Sequence, residues 1–276
     1  DETLKCFERM QDEGICPTVV TFVCVLKACG IVGSLEIGEA IHAEVQKEGL
    51  FAKDTMIGTA LVDMYVKCDM LGTARVVHEK LHCRDVVSWN ALITAYAMFG
   101  LCEDVVKCFL EMRIEGKVLD AVTSVNILKA FGNAGIVTSS GQEMHADIVK
   151  AGIDEDIIVG NTLVDMYATC GAFTEAWNVL TKLQVQGVIS WTALMAGYAQ
   201  IGENERVFYI FEKMLGEGIK PDPISFIVLL NACSHAGLFE ESQSYFEAMS
   251  KSHGIVPTVE HHACIVQLRS YMLQLD

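Results

Sequence analysis

The sequence predicts an all-α fold, a right-handed superhelical solenoid of stacked helix-turn-helix units. Two observations support this prediction. The first is internal repetition, because Val87–Leu92 (VSWNAL) recurs as Ile189–Leu194 (ISWTAL) and Leu61–Tyr65 recurs as Leu163–Tyr167, in both cases 102 residues later. The second is the spacing of apolar residues inside the repeated segments, which is helical.

The period of 102 residues divides into three repeats of 36, 31 and 35 residues. Residues 1–18 are the second half of an earlier repeat, and a third round begins near the end of the chain. The repeats begin at Val19, Thr55, Val86, Ala121, Ile157, Val188, Pro223 and Val259. We therefore expect a single array of nine whole or partial repeats over residues 1–276.

Each repeat is predicted to be a helical hairpin, as the repeat from Val86 to Asp120 illustrates. Its apolar residues follow the i, i+3, i+4, i+7 spacing of one helix, are interrupted at Gly100, resume in a second helix and end before Gly116. Neither helix can bury its apolar face alone, so neighbouring hairpins must stack. Polar side chains at a fixed position of the first helices then line one face.

Composition excludes several classes of protein. With 51% apolar residues the chain is not disordered, and a net charge of −16 excludes a polybasic mode of nucleic-acid binding. The longest charge-free window, Leu183–Gly202, is too polar for a bilayer helix, so no membrane association is expected. The eleven cysteines include no C-x-x-C pair, which argues against disulfides and a zinc ribbon and favours a reducing, intracellular setting.

The repeated motifs resemble those of plant pentatricopeptide repeat proteins. The 35-residue repeats carry V-x-S-W-N/T-A-L and F-x-x-M-x-x-x-G-x-x-x-D, the 36-residue repeats carry G-x-x-x-H-A-x-x-x-K-x-G, and the 31-residue repeats carry G-N/T-x-L-V-D-M-Y-x-x-C. These are similar to the P, L and S motifs of that family. The tetratricopeptide family builds hairpins of comparable length but lacks this alternation. The resemblance implies the division 1–18 partial P, 19–54 L, 55–85 S, 86–120 P, 121–156 L, 157–187 S, 188–222 P, 223–258 L and 259–276 partial S.

The resemblance also implies a function, the recognition of single-stranded RNA with one base per repeat. In this family the fifth residue of a repeat and its last residue specify the base, and the second residue packs on it. The base-reading residues implied here are Thr59 with Asp85, Asn90 with Asp120, Asn161 with Gly187 in place of a polar partner, and Thr192 with Asp222. The base-packing residues are Met56, Val87, Ile158 and Ile189. They imply the RNA core 5′-GUNYG-3′, in which the Asn161 position is weakly specified.

Val23, Val125 and Ile227 occupy the fifth position of the L repeats, where an aliphatic side chain cannot form a hydrogen bond with a base. We expect these repeats to act as spacers or to bind accessory editing factors. Proteins with this P, L, S order resemble site-recognition factors for C-to-U RNA editing in mitochondria or plastids. A deaminase would be a missing C-terminal domain or a recruited partner, since the chain contains no catalytic motif and implies no cofactor and no small-molecule substrate. The transit peptide and the C-terminal extension of such factors would lie outside the sequence.

Other interpretations of the same residues stay open. The chain could be a protein-interaction scaffold, or a splicing or transcript-stabilising factor. Aspartates at the ends of repeats could simply cap the next helix, and Trp89 and Trp191 are more typical of a packed core than of base stacking. His42 and His145 recur and favour packing between repeats, and His261, His262 and Cys264 are too few for a metal site. Lys129 and Lys150 are candidate phosphate contacts.

Overall fold

The computed structural model describes residues 2–51, 54–135 and 139–275. Within these ranges the chain forms sixteen α-helices and no strand, which confirms the predicted all-α fold. The helices are α1 (Glu2–Asp12), α2 (Val19–Val32), α3 (Leu35–Lys47), α4 (Thr55–Lys67), α5 (Leu71–Glu79), α6 (Val86–Met98), α7 (Cys102–Ile114), α8 (Ala121–Ala134), α9 (Ser139–Ala151), α10 (Ile157–Thr169), α11 (Phe173–Lys182), α12 (Val188–Gln200), α13 (Asn204–Gly216), α14 (Pro223–Ala236), α15 (Phe239–Lys251) and α16 (Val259–Leu275).

The helices are organised in two compact bodies, Asp1–Ala130 and Phe131–Asp276. In the first body, α4 packs against its hairpin partner α5 and also against α2 and α6, the first helices of the neighbouring hairpins. In the second body, α12 packs in the same way against α13, α10 and α14. Each of these two first helices, α4 and α12, is therefore covered on three sides, which accounts for their high apolar content.

The first helix of each hairpin begins where the sequence period places the start of a repeat. These starts are Val19, Thr55, Val86, Ala121, Ile157, Val188, Pro223 and Val259. The residue before a start is often the helix N-cap: Asp85 accepts a hydrogen bond from the Ser88 N–H at 2.8 Å, and Asp222 accepts one from the Ser225 N–H at 2.8 Å. The last side chain of one repeat thus starts the next helix.

Glycines close the helices of the hairpin that the sequence singled out. Gly100 follows α6 with φ of 69°, and Gly116 follows α7 with φ of 68°. Side chains with a Cβ rarely adopt this left-handed conformation, which reverses the chain after a helix. The two glycines therefore end the two helices at the points that the sequence pattern indicates.

Both repeated tryptophans lie in the core. Trp89 is fully buried and donates its indole N–H to Glu115 at 3.2 Å, and Trp191 packs edge-on against Trp177. Neither ring is available to stack on a ligand. The interpretation of Trp89 and Trp191 as core residues is confirmed.

The recurrent histidines join neighbouring hairpins. His42 Nδ1 lies 2.8 Å from the Tyr65 hydroxyl, and His145 Nδ1 lies 3.1 Å from the Tyr167 hydroxyl. Burial lowers the pKa of both imidazoles. These pairs confirm packing as the role of His42 and His145.

All eleven cysteines are free thiols. Among the described helices, none has the length and apolarity needed to cross a bilayer.

His78 is the most strongly perturbed imidazole of the described residues. It is fully buried against Trp89, with the ring centroids 4.3 Å apart in an edge-on arrangement, and neither ring nitrogen has a hydrogen-bond partner. Burial, aided by the charges of Arg84 and Arg75, lowers the pKa of His78 to about 4. The neutral form is therefore the one that the fold accommodates.

Acidification should destabilise the protein through His78. In the unfolded chain the imidazole titrates near pH 6.5, so between pH 6.5 and 4 the unfolded state binds more protons and stability falls as the pH falls. The contribution of His78 is fully present above pH 6.5, and about 2 kcal/mol of it is lost by pH 5. His78→Phe keeps an aromatic ring beside Trp89 and should remove this loss. Urea unfolding at pH 8 and pH 5 measures it, and an equal decrease in both proteins would contradict the prediction.

Candidate nucleic-acid interface

The second residue of the first helix is an exposed aliphatic side chain in seven hairpins. In the first body these residues are Val20, Met56, Val87 and Val122, with 62–67% of their surface exposed, and in the second they are Ile158, Ile189 and Ile224, with 59–65% exposed. Apolar side chains recurring at one exposed register indicate a surface that packs on a ligand. The set includes every predicted base-packing residue. Val20, Val122 and Ile224 were not predicted, although their register alone could have identified them.

In the first body, the structure brings Thr59 and Asp85 together. The Thr59 hydroxyl lies 3.3 and 3.4 Å from the two carboxylate oxygens of Asp85, and both residues are half-buried. Met56 stands one turn before Thr59 on α4 and is exposed. The hydroxyl, the carboxylate and the aliphatic platform are thus the three elements that the resemblance implies at this repeat.

Asn90 and Asp120 form a tighter pair. The Asn90 side-chain amide donates to Asp120 Oδ2 at 2.5 Å, while Asp120 Oδ1 accepts the N–H and the hydroxyl of Thr123 at 2.8 and 2.7 Å. The Thr123 hydroxyl also contacts Asn90 Oδ1. Burial alone would raise the pKa of Asp120, but the hydrogen bonds from Thr123 and Asn90 outweigh it and the pKa is lowered. The carboxylate is therefore a fixed, charged acceptor.

Thr192 and Asp222, in the second body, are linked indirectly. The Thr192 and Ser225 hydroxyl oxygens are 2.7 Å apart, and Ser225 Oγ lies 2.7 Å from Asp222 Oδ1. The predicted pair is assembled, but Ser225 stands between its two members. Thr192 is 7% exposed, so only its outer edge can meet a ligand.

Asn161 departs from the other base-reading candidates. It is 8% exposed and its carbonyl Oδ1 has no hydrogen-bond partner. Gly187, at the end of the same repeat, supplies no side chain, and a Cβ placed there would meet no atom within 4 Å. The amide is therefore left without the carboxylate that holds Asn90.

The repeats that begin at Val19, Ala121 and Pro223 present no polar group at the fifth position. Val23 is buried, and Val125 and Ile227 are half-buried. Asp54, at the end of the first of these repeats, accepts the Met56 N–H at 2.8 Å, and Asp156 accepts the Ile158 N–H at 2.8 Å. These two aspartates act as helix caps. Asp85 and Asp120 cap a helix and also contact a base-reading candidate, whereas Asp222 caps a helix and reaches Thr192 through Ser225.

Two lysines share the exposed face of the first helices. Lys27 and Lys129 lie seven residues, about two turns, after Val20 and Val122 on α2 and α8, and both are exposed. Residues at this spacing lie on one face of a helix. Lys150 lies on α9, a second helix of a hairpin. Lys129, but not Lys150, is thus placed beside the aliphatic register.

His261 and Cys264, near the C-terminus, are used in packing. His261 is buried, with Nε2 2.9 Å from the Pro223 carbonyl oxygen and Nδ1 2.8 Å from the Thr258 hydroxyl. Cys264 Sγ lies 3.0 Å from Asn231 Oδ1. Across residues 2–51, 54–135 and 139–275, no three His, Cys, Asp or Glu side chains are grouped so as to hold a metal ion.

Comparison with known proteins shows what these features resemble. The sequence model of the PPR repeat family matches residues 186–235, and the model of the PPR repeat matches residues 87–116 and 224–253. The model of the pentatricopeptide repeat domain matches residues 1–32. A putative pentatricopeptide repeat-containing protein of Arabidopsis thaliana is 34% identical over 97% of this chain, which covers 36% of that protein. The Arabidopsis protein CRR2, chloroplastic, is 35% identical over the whole chain, which covers 43% of it. The chain thus spans less than half the length of these relatives.

Solved structures share the fold. The pentatricopeptide repeat protein PPR10 in complex with an 18-nucleotide psaJ RNA element aligns with 99% of this chain at a TM-score of 0.69 and 19% identity, over 42% of its own length. PPR10 from maize aligns with 96% of the chain at a TM-score of 0.53, over 43% of its own length. Residues 1–32, 87–116 and 186–253 thus match pentatricopeptide repeats, and the chain as a whole is similar in sequence and in fold to pentatricopeptide repeat proteins.

Proposed function

We propose that this chain binds single-stranded RNA with one base specified per repeat, as the site-recognition part of an organellar C-to-U RNA editing factor. The observation that supports this most is the recurrence, at one register, of an exposed aliphatic side chain beside a small polar side chain held by a carboxylate, as in Met56, Thr59 and Asp85. An aliphatic platform and a polar group at its edge suit a base that is unpaired. PPR10, which shares the fold, has been solved with a bound RNA element.

The proposed RNA core is 5′-GUNYG-3′. In it, Thr59 with Asp85 and Thr192 with Asp222 specify guanosine, Asn90 with Asp120 specifies uridine, Val125 leaves its position open, and Asn161 takes a pyrimidine. The carboxylates can accept hydrogen bonds from the N–H groups of guanine or uracil, whereas the aliphatic side chain of Val125 can form no hydrogen bond with a base. The division into P, L and S repeats, with accessory editing factors at the L repeats, is part of this proposal.

The editing role assigns the chemistry to another domain or protein. A deaminase, in cis or recruited, would act on a cytidine that the bound array positions. The chloroplastic relative CRR2 favours a plastid over a mitochondrion as the compartment. Splicing or transcript stabilisation would use the same RNA-binding surface, and the base preferences would be the same.

A protein-interaction scaffold is the second candidate, favoured by the net charge of −16. Electrophoretic mobility with a GUNYG oligonucleotide and a scrambled one, at 50 and 150 mM salt, separates the two. Selective binding of the first supports RNA recognition, and binding to neither at 50 mM salt contradicts it in favour of the scaffold.

Thr192→Asn should change the preference at the last base of the core from guanosine to uridine. The reason is that Asn90, 102 residues earlier in the repeat pattern, provides the template for an amide beside a capping aspartate. We expect roughly a tenfold change in the ratio of the two affinities, measured by fluorescence anisotropy with RNAs ending in G or U. As a control, Ile189→Ala should weaken both complexes equally because it removes the platform. An unchanged ratio in Thr192→Asn contradicts the assignment.

Gly187→Asp should increase the base selectivity of the repeat that contains Asn161. The N-cap of α12 has no side-chain cap, its backbone is extended, and the space around Cβ is open. An aspartate can therefore cap the helix, worth roughly 0.5–1 kcal/mol, and can also approach Asn161. We expect a Tm raised by about 2 °C and a stronger preference for uridine at the fourth base.

The control is Gly216→Asp, which adds the same charge at an exposed position of α13 with open space around it. It should leave the base preference at the fourth position as in the parent. If Gly187→Asp and Gly216→Asp show the same preference for uridine at the fourth base, the prediction that a carboxylate at position 187 helps to specify that base is wrong.

Lys129→Gln should weaken binding to every RNA by the same factor. A lysine that contacts phosphate contributes through counterion release, so its loss should lower the slope of log affinity against log salt by about 0.7. Lys150→Gln, on a second helix, should keep the parent slope. Titrations between 50 and 200 mM salt measure both, and equal slopes for Lys129→Gln and the parent would contradict the placement of Lys129 on the RNA.

A further inference from the structure

A hydroxyl occupies the third position of each of the three repeats that begin at Val19, Ala121 and Pro223. These hydroxyls belong to Thr21, Thr123 and Ser225. Each contacts the side chain that ends the preceding repeat: Thr21 meets Thr18 at 3.0 Å, Thr123 meets Asp120 at 2.7 Å, and Ser225 meets Asp222 at 2.7 Å. Thr123 and Ser225 are fully buried, so neither can itself touch a base.

The other repeats do not place a hydroxyl against that side chain. Ile57 and Val159 are aliphatic at the third position. Ser88 and Ser190 do carry a hydroxyl, but it donates to a main-chain carbonyl oxygen three residues earlier. Ser88 donates to Asp85 and Ser190 donates to Gly187, both at 2.9 Å. The contact with the base-reading pair is therefore specific to the proposed junctions from a P repeat to an L repeat.

At the Thr192 junction the hydrogen bonds fix which group donates. The Asp222 carboxylate can only accept, so the single proton of the Ser225 hydroxyl goes to it. The Ser225 oxygen then accepts the Asp222 N–H at 3.3 Å and the proton of Thr192 at 2.7 Å. Thr192 consequently presents lone pairs outward, beside a carboxylate that also accepts. Two adjacent acceptors match the N1–H and N2–H donors of guanine, and they do not match the N1 acceptor of adenine.

At the Asn90 junction the carboxylate itself orients an amide. The Asp120 carboxylate accepts the Nδ2 group at 2.5 Å, so the Oδ1 atom of Asn90 faces the Thr123 hydroxyl. Asp120 Oδ1 already accepts the Thr123 N–H, so the single hydroxyl proton of Thr123 can serve Asn90 Oδ1 and hold the amide in this orientation. The remaining Nδ2 hydrogen is left for the ligand. A donor next to an accepting carboxylate matches the carbonyl oxygen and N3–H of uracil. Cytosine is disfavoured, because its N3 atom is an acceptor and would face the carboxylate, which can also only accept a hydrogen bond.

We infer that the third-position hydroxyl of an L repeat sets the donor and acceptor polarity of the base-reading residue in the P repeat before it. Thr123 and Ser225 are thus positioning residues, which determine specificity without touching RNA. This inference rests on the proposed function. It gives the L repeats a part in base recognition although their own fifth residues cannot form a hydrogen bond with a base.

The test measures discrimination rather than affinity. Thr123→Val removes the hydroxyl with little change in shape, and Ser225→Ala frees the Thr192 hydroxyl to rotate. For Thr123→Val, the ratio of affinities for GUNYG and its variant with C at the second base should fall about fivefold. For Ser225→Ala, the ratio for G against A at the last base should fall by a similar factor. Thr123→Ser and Ser225→Thr keep the hydroxyl and should restore the parent ratios.

Ser88→Ala is the matched control, because it removes a fully buried hydroxyl at the same position that donates only to the main chain. It should keep the parent ratio for G against A at the first base. A purely structural role as helix cap would lower the Tm and weaken both RNAs equally, so thermal melts of each variant accompany the titrations.

The outcomes separate the inference from the proposed function. Loss of discrimination with rescue by the hydroxyl-retaining variants supports the inference. A parent that prefers the expected bases, and keeps its ratios in both Thr123→Val and Ser225→Ala, overturns the inference alone. A parent without preference at either base overturns the proposed function and the inference together. If Thr123→Val fails to fold, Ser225→Ala alone decides.

Discussion

The side chain that ends one repeat and starts the next helix is the constraint on which the candidate site depends. Asp85 and Asp222 accept the N–H of the third residue of the following helix, and Asp120 does the same for Thr123. This bond fixes the first helical residue and hence which residue comes second, third and fifth. The second residue then points to solvent, the third to the interior and the fifth to the junction. The proposed base recognition and helix capping therefore use the same carboxylate.

Much of this arrangement could be predicted from the sequence because it depends on local periodicity. The starts of the first helices follow from a pattern that repeats every 102 residues, and the exposure of Val87 and Ile189 follows from their place in the first turn. The burial of Trp89 and Trp191 follows from their place on the apolar face. Each of these depends on a few neighbouring residues in one helix, which the sequence displays directly.

The contacts across a junction could not be predicted in the same way. Thr192 reaches Asp222 through Ser225, whereas Thr59 contacts Asp85 directly, although the two repeats offer the same residue types at the fifth and last positions. Asn161 is nearly buried with an unpartnered carbonyl, which composition does not indicate. Such details depend on the rotamers of two side chains and on how closely two helices approach. The buried, unpartnered His78 was missed for the same reason.

Two arginines of the first body form ion pairs with glutamates. Arg75 contacts Glu79 at 2.7 Å and Glu111 at 2.6 Å, and Arg84 contacts Glu115 at 2.5 Å. These cations hold second helices together and are not available to a ligand. Lys27 and Lys129 are placed differently, on the exposed face of first helices. A low content of basic residues is thus compatible with lysines on the face of the first helices that carries the exposed aliphatic side chains.

The exposed aliphatic side chains have a consequence for the protein when no ligand is bound. Seven of them leave more than half of their surface in water, and such surface favours contact with the same surface of another copy. The charge of −16 opposes that contact, since copies repel one another at neutral pH. Near the isoelectric point of about 4.8, or in concentrated salt, the repulsion is lost. The acidity of the free chain therefore opposes its self-association and keeps the exposed aliphatic side chains accessible.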